Sequence, residues 1–233
     1  MILVIFDVDG TLAYSERRDS LSFARAYENI YGRQFPTIDW RAYPHVTDTT
    51  IFDTVIREHF GRAVTDEEVE CFQAHYMDLL REGRRAAPDA FREVAGARRL
   101  VEQLLAGGRH LVGVATGGWR RPAELKLGHV GINIGPELFS GADGKVNREA
   151  ILEEVIARAQ QLNGSAPTKA VYIGDAEWDV RTTRNMQLSF IGVRYQGDCE
   201  VLLKEGARHV IRDFQDTAHF ERLLEMAEPP GGQ

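Results

Sequence analysis

The sequence predicts an α/β fold: a doubly wound parallel sheet that carries a helical insertion. Short apolar runs rich in β-branched residues alternate with helical patterns along most of the 233 residues, which is typical of parallel strands joined by helical crossovers. Residues 15–87 break this alternation, because only helical patterns occur there. We therefore expect an α/β core domain, residues 1–14 and 88–233, and a helical cap domain, residues 15–87, over the carboxyl end of the first strand.

The core strands are predicted from five apolar runs that have the length of fully buried strands. They are ILVIF at 2–6, HLVGVAT at 110–116, KAVYIG at 169–174, LSFIGV at 188–193 and RHVI at 208–211. Between them, a helical pattern follows Gly96 and stops at a Gly-Gly pair. Asn147 and Asp198 are predicted to cap two further helices, whose sequences are REAILEEVIARAQ and CEVLLKEG.

The cap is predicted from three helical patterns between Ser15 and Ala87. Their sequences are SLSFARAYENIYG, DTTIFDTVIREHFG and TDEEVECFQAHYMDLLREG. The third pattern opens with Thr65 and Glu68, whose spacing is that of a capping box. A segment of this size, inserted after the first strand, would cover the edge of the sheet where ligands bind in open α/β folds.

Composition and charge limit the possible partners. Hydrophobic residues make up 43% of the chain and charged residues 27%, as in ordinary globular proteins. The formal net charge of -7 argues against non-specific nucleic-acid binding, which rests on a surplus of Lys and Arg. No apolar run approaches membrane length, and MILVIF is too short for a signal-peptide core. We therefore expect a cytoplasmic protein with no nucleic-acid or membrane partner, in which Cys71 and Cys199 are buried thiols rather than a disulfide.

Two carboxylates stand at the end of the first predicted strand, in the motif DVDGT. Asp7 and Asp9 are separated by one residue and project into the crevice above the sheet once the strand gives way to a loop. Gly10 permits the sharp turn that this requires. The two negative charges repel each other, so a cation beside them is the natural compensation. An acidic surface turn is the alternative interpretation, but it fits poorly after a buried strand.

A second acidic motif, GDAEWD, follows the predicted strand at 169–174. Asp175 stands at the tip of that strand, and Asp179 lies four residues on, one turn away on the same side of a helix. Mg²⁺ prefers a few carboxylates together with water and substrate oxygens, so Asp175 is a candidate metal ligand. Taken alone, Asp175 could equally cap the helix and Asp179 face solvent. The pairing with DVDGT favours the metal site.

Two weaker signals concern phosphate binding. In VATGG, Thr116 ends a predicted strand and is followed by two glycines, whose backbone N–H groups suit an oxyanion. In DGKVNRE, Lys145 and Arg148 lie just before and at the start of a helix, where either could neutralise a phosphate group among the carboxylates. A plain turn and solvated basic side chains are the alternative interpretations.

These motifs in this order resemble the haloacid dehalogenase superfamily, in its phosphatase branch with a helical cap inserted after the first motif. The resemblance extends from Asp7 to about Phe214 and implies a three-layer, Rossmann-like parallel sheet core with an all-α helical cap. It implies that Asp7 forms an aspartyl-phosphate, and that Asp9 protonates the leaving oxygen and then activates water. It also implies that Mg²⁺ is held by Asp7, the backbone carbonyl of Asp9 and Asp175, with Asp179 in support.

The resemblance further implies which residues bind the phosphoryl group. Thr116 and the backbone at Gly117 are expected to hold the group in transfer, and Thr11 of the first motif is a candidate to bind substrate. The basic motif departs from the usual Lys-Pro-x-Pro form, because VNR follows Lys145. Some relatives place an arginine at the helix start, which favours Arg148 slightly over Lys145 as the catalytic basic residue.

The cap segment HVTDTTI, residues 45–51, resembles the part of the cap that faces the active site in phosphoglycolate-phosphatase-like members. Thr47 and Asp48 are therefore candidate substrate-binding residues, although they could equally cap the helix that begins there. Three other large side chains are expected to pack rather than to bind substrate: Trp40, Trp119 and Trp178.

The implied function is hydrolysis of a small phosphorylated metabolite by a magnesium-dependent monomer or homodimer. The substrate would be phosphoglycolate-like, a sugar phosphate or a nucleotide. A phosphomutase of the same fold is one alternative, since it shares every core residue and differs in shielding the aspartyl-phosphate from water. A non-catalytic module that binds a phosphorylated ligand is another. The intact carboxylate set argues against it, because buried charges without a metal destabilise a fold. A dehalogenase is disfavoured by Asp9, which those relatives lack.

Overall fold

The computed structural model describes residues 1–15 and 17–232 and contains a six-stranded parallel sheet. In the order in which they lie side by side, its strands are β5 (Phe139–Ser140), β4 (His110–Ala115), β1 (Ile2–Phe6), β6 (Lys169–Gly174), β7 (Ser189–Val193) and β8 (Val210–Ile211). All five predicted strands are confirmed, although the last is shorter than predicted. Strand β5 escaped prediction, because two residues are too few to show a periodic pattern.

Helices cover both faces of the sheet, so the core has three layers. One face packs against α4 (Ala97–Gly107), α5 (Arg120–His129) and α9 (Thr217–Met226), and the other against α6 (Arg148–Asn163), α7 (Glu177–Asn185) and α8 (Glu200–Lys204). Alternate residues of β1 point to opposite faces of the sheet. Val4 and Phe6 therefore belong to the hydrophobic cluster under α4, α5 and α9, and Leu3 and Ile5 to the cluster under α6, α7 and α8. The central strand is therefore buried on both sides, as its uninterrupted apolar sequence predicts.

The predicted helical insertion is confirmed. It consists of α1 (Arg18–Tyr31), α2 (Asp48–Phe60) and α3 (Asp66–Ala86), which follow β1 before the sheet resumes. A short antiparallel ribbon of β2 (Ala13–Tyr14) and β3 (Arg92–Glu93) brings the two ends of the insertion together. The domain boundaries at residues 15 and 87 stay a prediction.

The predicted caps of α3 and α6 are formed by the expected side chains, those of Thr65 and Asn147. Thr65 accepts a hydrogen bond from the backbone N–H of Glu68 at 3.3 Å, and Glu68 accepts one in return from the N–H of Thr65 at 3.0 Å. Asn147 caps α6 by accepting a first-turn N–H at 3.0 Å. The prediction for α8 is wrong by one residue: Cys199 occupies the cap position without a side-chain capping bond, and Asp198 before it accepts the N–H of Glu200 at 3.0 Å. Local side-chain chemistry therefore sets where α3 and α6 begin.

The predicted burial of both cysteines is wrong. Cys71 is exposed and Cys199 is partly exposed, and neither forms a disulfide. Helix α3 buries Phe72, Tyr76 and Leu80, and Cys71 lies off that face of the helix. Within residues 1–15 and 17–232, no helix combines the length and the apolar character needed to cross a membrane.

Trp119 connects the core to the cap. It lies at the start of α5, yet its side chain is fully buried among phenylalanines of all three cap helices. Its ring centroid lies 5.7 Å from that of Phe72 and 5.9 Å from those of Phe23 and Phe52. Its indole N–H donates to the hydroxyl of Thr49 at 3.0 Å. The apolar centre of the cap is therefore completed by a side chain from the α/β core.

We expect Trp119→Ala to lower the free energy of unfolding by about 3–5 kcal/mol, because it leaves a cavity at the centre of the cap. Leu162→Ala is the matched control: this residue is 57% exposed on α6, so a change within about 0.5 kcal/mol is expected. Urea denaturation followed by circular dichroism measures both. Equal, small effects of the two substitutions would contradict the assigned role of Trp119.

Candidate active site

The carboxyl ends of three neighbouring strands meet at one level. β1 pairs in parallel with both β4 and β6, and its last residue, Phe6, is in register with the ends of both neighbours. Asp7, Thr116 and Asp175, which follow these strands, therefore emerge at the same edge of the sheet. The parallel register thus brings together three motifs that are far apart in the chain.

Three carboxylates form an acidic cluster at this edge. Side-chain oxygens of Asp7, Asp175 and Asp179 all lie within 4.8 Å of one another. Burial raises the pKa of Asp7 to about 6, an effect that Arg148 opposes and Asp179 reinforces. Burial and the charges of Asp179 and Asp7 also raise the pKa of Asp175 well above its usual value. The cluster carries more negative charge than its surroundings neutralise, so it has the electrostatic character of a cation site.

The donor set of the cluster suits a divalent cation such as Mg²⁺, which two of its carboxylates could hold. Oδ1 of Asp7 is buried and accepts no hydrogen bond from the described residues, so it lacks a partner that a cation would supply. Asp179 is already engaged, because its Oδ2 accepts the backbone N–H groups of Asp175 and Ala176 at 3.1 Å each. Its Oδ1 lies 2.9 Å from Nη1 of Arg148. Asp7 and Asp175 are therefore the suitable ligands, and Asp179 positions the loop that carries Asp175.

Gly10 is required by the acidic cluster. Its φ of 81° lies in the left-handed region, which side chains disfavour. A Cβ atom at this position would lie 2.1 Å from Oδ2 of Asp175. The sharp turn predicted after Asp9 is present, and the missing side chain leaves the space that Asp175 occupies.

Asp9 faces away from the acidic cluster and pairs with Lys126. Nζ of Lys126 donates to Oδ2 of Asp9, and the lysine side chain is only 5% exposed. Burial raises the pKa of Asp9 to about 7, with Lys126 acting in the opposite direction. The carboxylate of Asp9 is thus not among the clustered oxygens, and a metal contact through its backbone carbonyl stays a prediction.

Sequence reasoning missed Lys126. Helix α5 buries Pro122, Ala123, Lys126 and Leu127, so the lysine occupies a position on the apolar face of the helix. A lysine on such a face is rarely buried unless it has a charged partner. Its position within the helical pattern indicated that Lys126 is buried, but the pattern does not show which carboxylate pairs with it.

Arg148, and not Lys145, reaches the acidic cluster. Nη1 of Arg148 lies 3.7 Å from Oδ1 of Asp7, and the side chain is 11% exposed. Lys145 pairs instead with Glu154 at 2.8 Å and does not line the cavity above the sheet. Because α6 begins at Arg148, its first turn points at the sheet edge, whereas Lys145 precedes the helix and is drawn to Glu154 farther along it. The structure does not bring Lys145 to the site.

Thr116 and Gly117 follow β4 and line the cavity, while their binding of the phosphoryl group stays a prediction. Thr116 is 2% exposed, and its side-chain hydroxyl accepts the backbone N–H of Gly118 at 3.3 Å. A Cβ atom on Gly117 would lie 2.5 Å from the carbonyl oxygen of Val46 and 2.7 Å from Nη2 of Arg148. The absence of a side chain at Gly117 allows the cap to approach the loop that follows β4.

Thr47 and Asp48 both line the cavity and begin a helix. The hydroxyl of Thr47 accepts the N–H of Thr50 at 3.3 Å, which makes Thr47 the cap of α2. The backbone N–H of Asp48 donates to the carbonyl of Gly117 at 2.8 Å, and its carboxylate accepts the N–H of Trp119 at 2.9 Å. Capping α2 and contacting substrate are therefore compatible roles for these residues, because α2 begins at the wall of the cavity.

Thr11 does not reach the cavity. It is fully buried, its hydroxyl has no hydrogen-bond partner among the described residues, and it is absent from the cavity lining. The turn that follows Gly10 carries Thr11 back toward β1, where its N–H donates to the carbonyl of Val8 at 3.3 Å. The structure gives Thr11 a place under the loop rather than a contact with substrate.

The cavity lies between the sheet edge and the cap and has a volume of about 90 Å³. Trp119 packs in the cap as expected. Trp40 also packs as expected, against Phe23, Phe35 and Tyr43, and both Trp40 and Trp178 line the cavity as well. Sequence position alone could not show this, because a tryptophan at the wall of a cavity and one in a core have the same pattern.

The family model of the haloacid dehalogenase-like hydrolases matches residues 4–193 of the chain. The chain belongs to the haloacid dehalogenase-like hydrolase family. The resemblance inferred from the motifs is therefore confirmed, and the protein is an enzyme of the hydrolase class.

Individual relatives agree with this assignment. A phosphoglycolate phosphatase from Rhodobacter capsulatus is 27% identical over 199 residues, which cover 81% of this chain and 82% of that protein. The structure of a hydrolase from Pseudomonas syringae has a TM-score of 0.66 and 20% identity, with 96% of this chain and 99% of that one covered. A protein provisionally described as a β-phosphoglucomutase from Bacteroides vulgatus has a TM-score of 0.63 and 20% identity, with 97% and 89% covered. The two structural likenesses show the fold, and the family together with its named phosphatase supports a phosphatase.

We expect Arg148→Gln to lower phosphate release from p-nitrophenyl phosphate by at least about 100-fold, because it removes the cation beside Asp7. Lys145→Gln is the matched control and should change the rate by no more than about threefold, since Lys145 lies outside the cavity. Thermal unfolding of both variants is needed as well, because Asp179 loses its charged partner in Arg148→Gln. Equal losses of activity in two folded variants would remove Arg148 from the site.

Proposed function

We propose that the protein is a magnesium-dependent phosphatase that hydrolyses a small phosphate monoester through an aspartyl-phosphate on Asp7. The observation that carries this proposal is the setting of Asp7. It is a buried carboxylate at the end of the central strand, whose Oδ1 accepts no hydrogen bond from the described part of the chain and has a guanidinium beside it. A carboxylate oxygen in this setting can attack phosphorus while the guanidinium offsets the charge of the phosphoryl oxygens.

In the first half-reaction, an oxygen of Asp7 forms a bond to phosphorus as the bond to the ester oxygen breaks. Thr116 and the backbone N–H groups that follow it line the same cavity and can hold the phosphoryl oxygens. Asp9 gives its proton to the leaving oxygen. Because burial raises the pKa of Asp9 to about 7, against the effect of Lys126, the acid form is available near neutral pH.

In the second half-reaction, a water molecule attacks the aspartyl-phosphate on Asp7. Asp9, which has lost its proton, accepts one from the attacking water, and the carboxylate of Asp7 leaves phosphorus. Inorganic phosphate then departs and both aspartates return to their starting states. Mg²⁺ bound by Asp7 and Asp175 would neutralise charge on the phosphoryl oxygens during both displacements.

The cavity favours a small substrate. Its volume of about 90 Å³ is equivalent to roughly six water sites of ~15 Å³ each. The cap forms one wall through residues of α1 and α2, including Asp19, Phe23 and Asp48. A phosphorylated metabolite of a few heavy atoms fits this space, whereas a phosphorylated protein segment does not.

A phosphomutase is the second candidate, because the Bacteroides vulgatus structure with this fold has been described as one. The two activities differ in the fate of the phosphoryl group, which a mutase returns to an organic molecule. Release of inorganic phosphate in proportion to the ester consumed supports the phosphatase. Consumption of a sugar phosphate without phosphate release would support the mutase.

We expect Asp7→Asn to reduce phosphate release by at least about 1,000-fold, because an amide cannot form the acyl-phosphate bond. The fold should remain intact, since the substitution is isosteric and removes one buried negative charge. Asp78→Asn on the exposed surface of α3 is the matched control and should retain activity. Activity of Asp7→Asn within tenfold of the parent would exclude Asp7 as the nucleophile.

Removal of divalent metal ions is expected to stop phosphate release, and Mg²⁺ is expected to restore it. The reason is that the clustered carboxylates and the phosphate dianion repel each other without a cation between them. The measurement is activity after chelation and dialysis, followed by titration with MgCl₂. A protein that keeps its full rate after chelation would contradict the metal dependence.

A further inference from the structure

The cavity has two ends with separate charge interactions. At the sheet end, Asp7 and Arg148 interact with the carboxylates that follow β6. At the other end, which we call the leaving-group end, Asp9 and Lys126 interact with residues of the cap. The cap residues used below are Asp19, Trp40, Asp48 and Tyr76, all of which line the cavity. Asp9 would protonate the leaving oxygen in the proposed reaction, so the alcohol part of a substrate should lie at this end.

Negative charge exceeds positive charge at the leaving-group end. Lys126 and Arg148 are the two basic side chains among the described residues that line the cavity. Lys126 pairs with Asp9, and Arg148 lies against the acidic cluster. Asp19 and Asp48 form no ion pair with any described residue, although both lie in the field of Lys126. Two carboxylates at this end are therefore left without a cation of their own.

These carboxylates retain free hydrogen-bond acceptors. Oδ1 of Asp19 accepts from the hydroxyl of Ser15 at 2.5 Å, and Oδ2 of Asp48 accepts the N–H of Trp119. The second oxygen of each carboxylate has no hydrogen-bond donor among residues 1–15 and 17–232. The leaving-group end is thus rich in acceptors that a substrate could satisfy.

Large aromatic side chains form part of the uncharged wall of the cavity. Trp40 and Tyr76 come from the cap, and Trp178 comes from α7. The indole nitrogen of Trp178 is buried and has no hydrogen-bond partner among the described residues. Aromatic faces pack well against carbon atoms and against cations, and the free indole N–H can donate to a substrate oxygen.

The geometry points to the class of substrate: the alcohol part of the ester carries hydrogen-bond donors and no negative charge, as a hydroxyl-bearing or an amine-bearing leaving group does. This inference rests on the proposed phosphatase function. Hydroxyl and ammonium groups both donate to carboxylates, so Asp19 and Asp48 would bind either. A carboxylate on the leaving group would meet Asp19 and Asp48, and Lys126 is the one cation among the described residues at this end that offsets them. Burial raises the pKa of Asp48 to about 7, so Asp48 carries part of a negative charge at neutral pH and Asp19 supplies the rest.

The same reasoning separates this chain from its phosphoglycolate phosphatase relative. Phosphoglycolate carries a carboxylate directly on the ester carbon, which gives its leaving group a negative charge. At 27% identity, the residues of the cap that select the leaving group are free to differ. The charges of Asp19 and Asp48 predict that phosphoglycolate is a poor substrate here.

The experiment compares three esters with the same two-carbon skeleton: 2-aminoethyl phosphate, 2-hydroxyethyl phosphate and 2-phosphoglycolate. Their leaving groups have nearly the same size and carry charges of about +1, 0 and -1 at neutral pH. The measurement is kcat/KM for phosphate release by the full chain with Mg²⁺. We expect one or both of the first two esters to exceed 2-phosphoglycolate by at least about tenfold. Their order then tells whether the amine or the hydroxyl is preferred.

Two isosteric variants test the assigned residues. Asp19→Asn and Asp48→Asn should each raise kcat/KM for 2-phosphoglycolate, relative to 2-hydroxyethyl phosphate, by at least about fivefold. This ratio cancels the intrinsic reactivity of the esters and any general loss of activity. Asp78→Asn makes the same charge change on the exposed surface of α3 and should leave the ratio unchanged. Thermal unfolding confirms that each variant is folded.

The outcomes distinguish this inference from the proposed function. Phosphate release in which 2-phosphoglycolate is the best of the three esters, or in which neither variant changes the ratio, overturns the inference and leaves the phosphatase in place. No release from any of the three esters or from p-nitrophenyl phosphate overturns both. Preference for an uncharged or cationic leaving group, reduced in both variants, supports both.

Discussion

The structure depends on holding several negative charges at the carboxyl edge of the sheet, where burial opposes them. Asp7, Asp175 and Asp179 place oxygens within 4.8 Å of one another. Arg148, at the start of α6, offsets part of this charge through its contact with Asp179 at 2.9 Å. Asp179 also accepts two backbone N–H groups of the loop that carries Asp175. The buried ion pair between Arg148 and Asp179 therefore holds both the guanidinium and the loop that carries Asp175. The negative charge of the cluster that Arg148 does not neutralise is what a divalent cation would balance.

The cap and the core are joined by residues that also line the cavity. Asp48 donates its backbone N–H to Gly117 and accepts the N–H of Trp119, while Thr47 donates to the carbonyl of Val146 at 3.1 Å. Trp119 then extends into the apolar centre of the cap. The position of the cap and the shape of the cavity therefore depend on each other, because the same hydrogen bonds set both. A change in how the cap sits would also change what the proposed leaving group meets.

Sequence reasoning succeeded where chemistry is local to a motif. DVDGT and GDAEWD predicted the carboxylates that meet at the sheet edge, and Gly10 predicted the sharp turn after Asp9. Sequence reasoning was less successful for side chains that reach the site from outside these motifs. Lys126 lies on a helix with no motif, and its role depends on Asp9 being within reach across the cavity. The choice of Arg148 over Lys145 likewise depended on where α6 begins and which way its first turn points.

The sequence by itself determined the α/β alternation, the helical insertion and the acidic motifs, because hydrophobic period and turn chemistry act over a few residues. Family membership follows from the order of those motifs. The tertiary structure decided which charges pair, that Thr11 lies beneath the loop, and that Trp178 faces the cavity. These outcomes depend on parallel strand register and on how the cap packs against the core. Both bring together residues that are far apart in the chain, as when Lys126 pairs with Asp9, and no local pattern encodes such contacts.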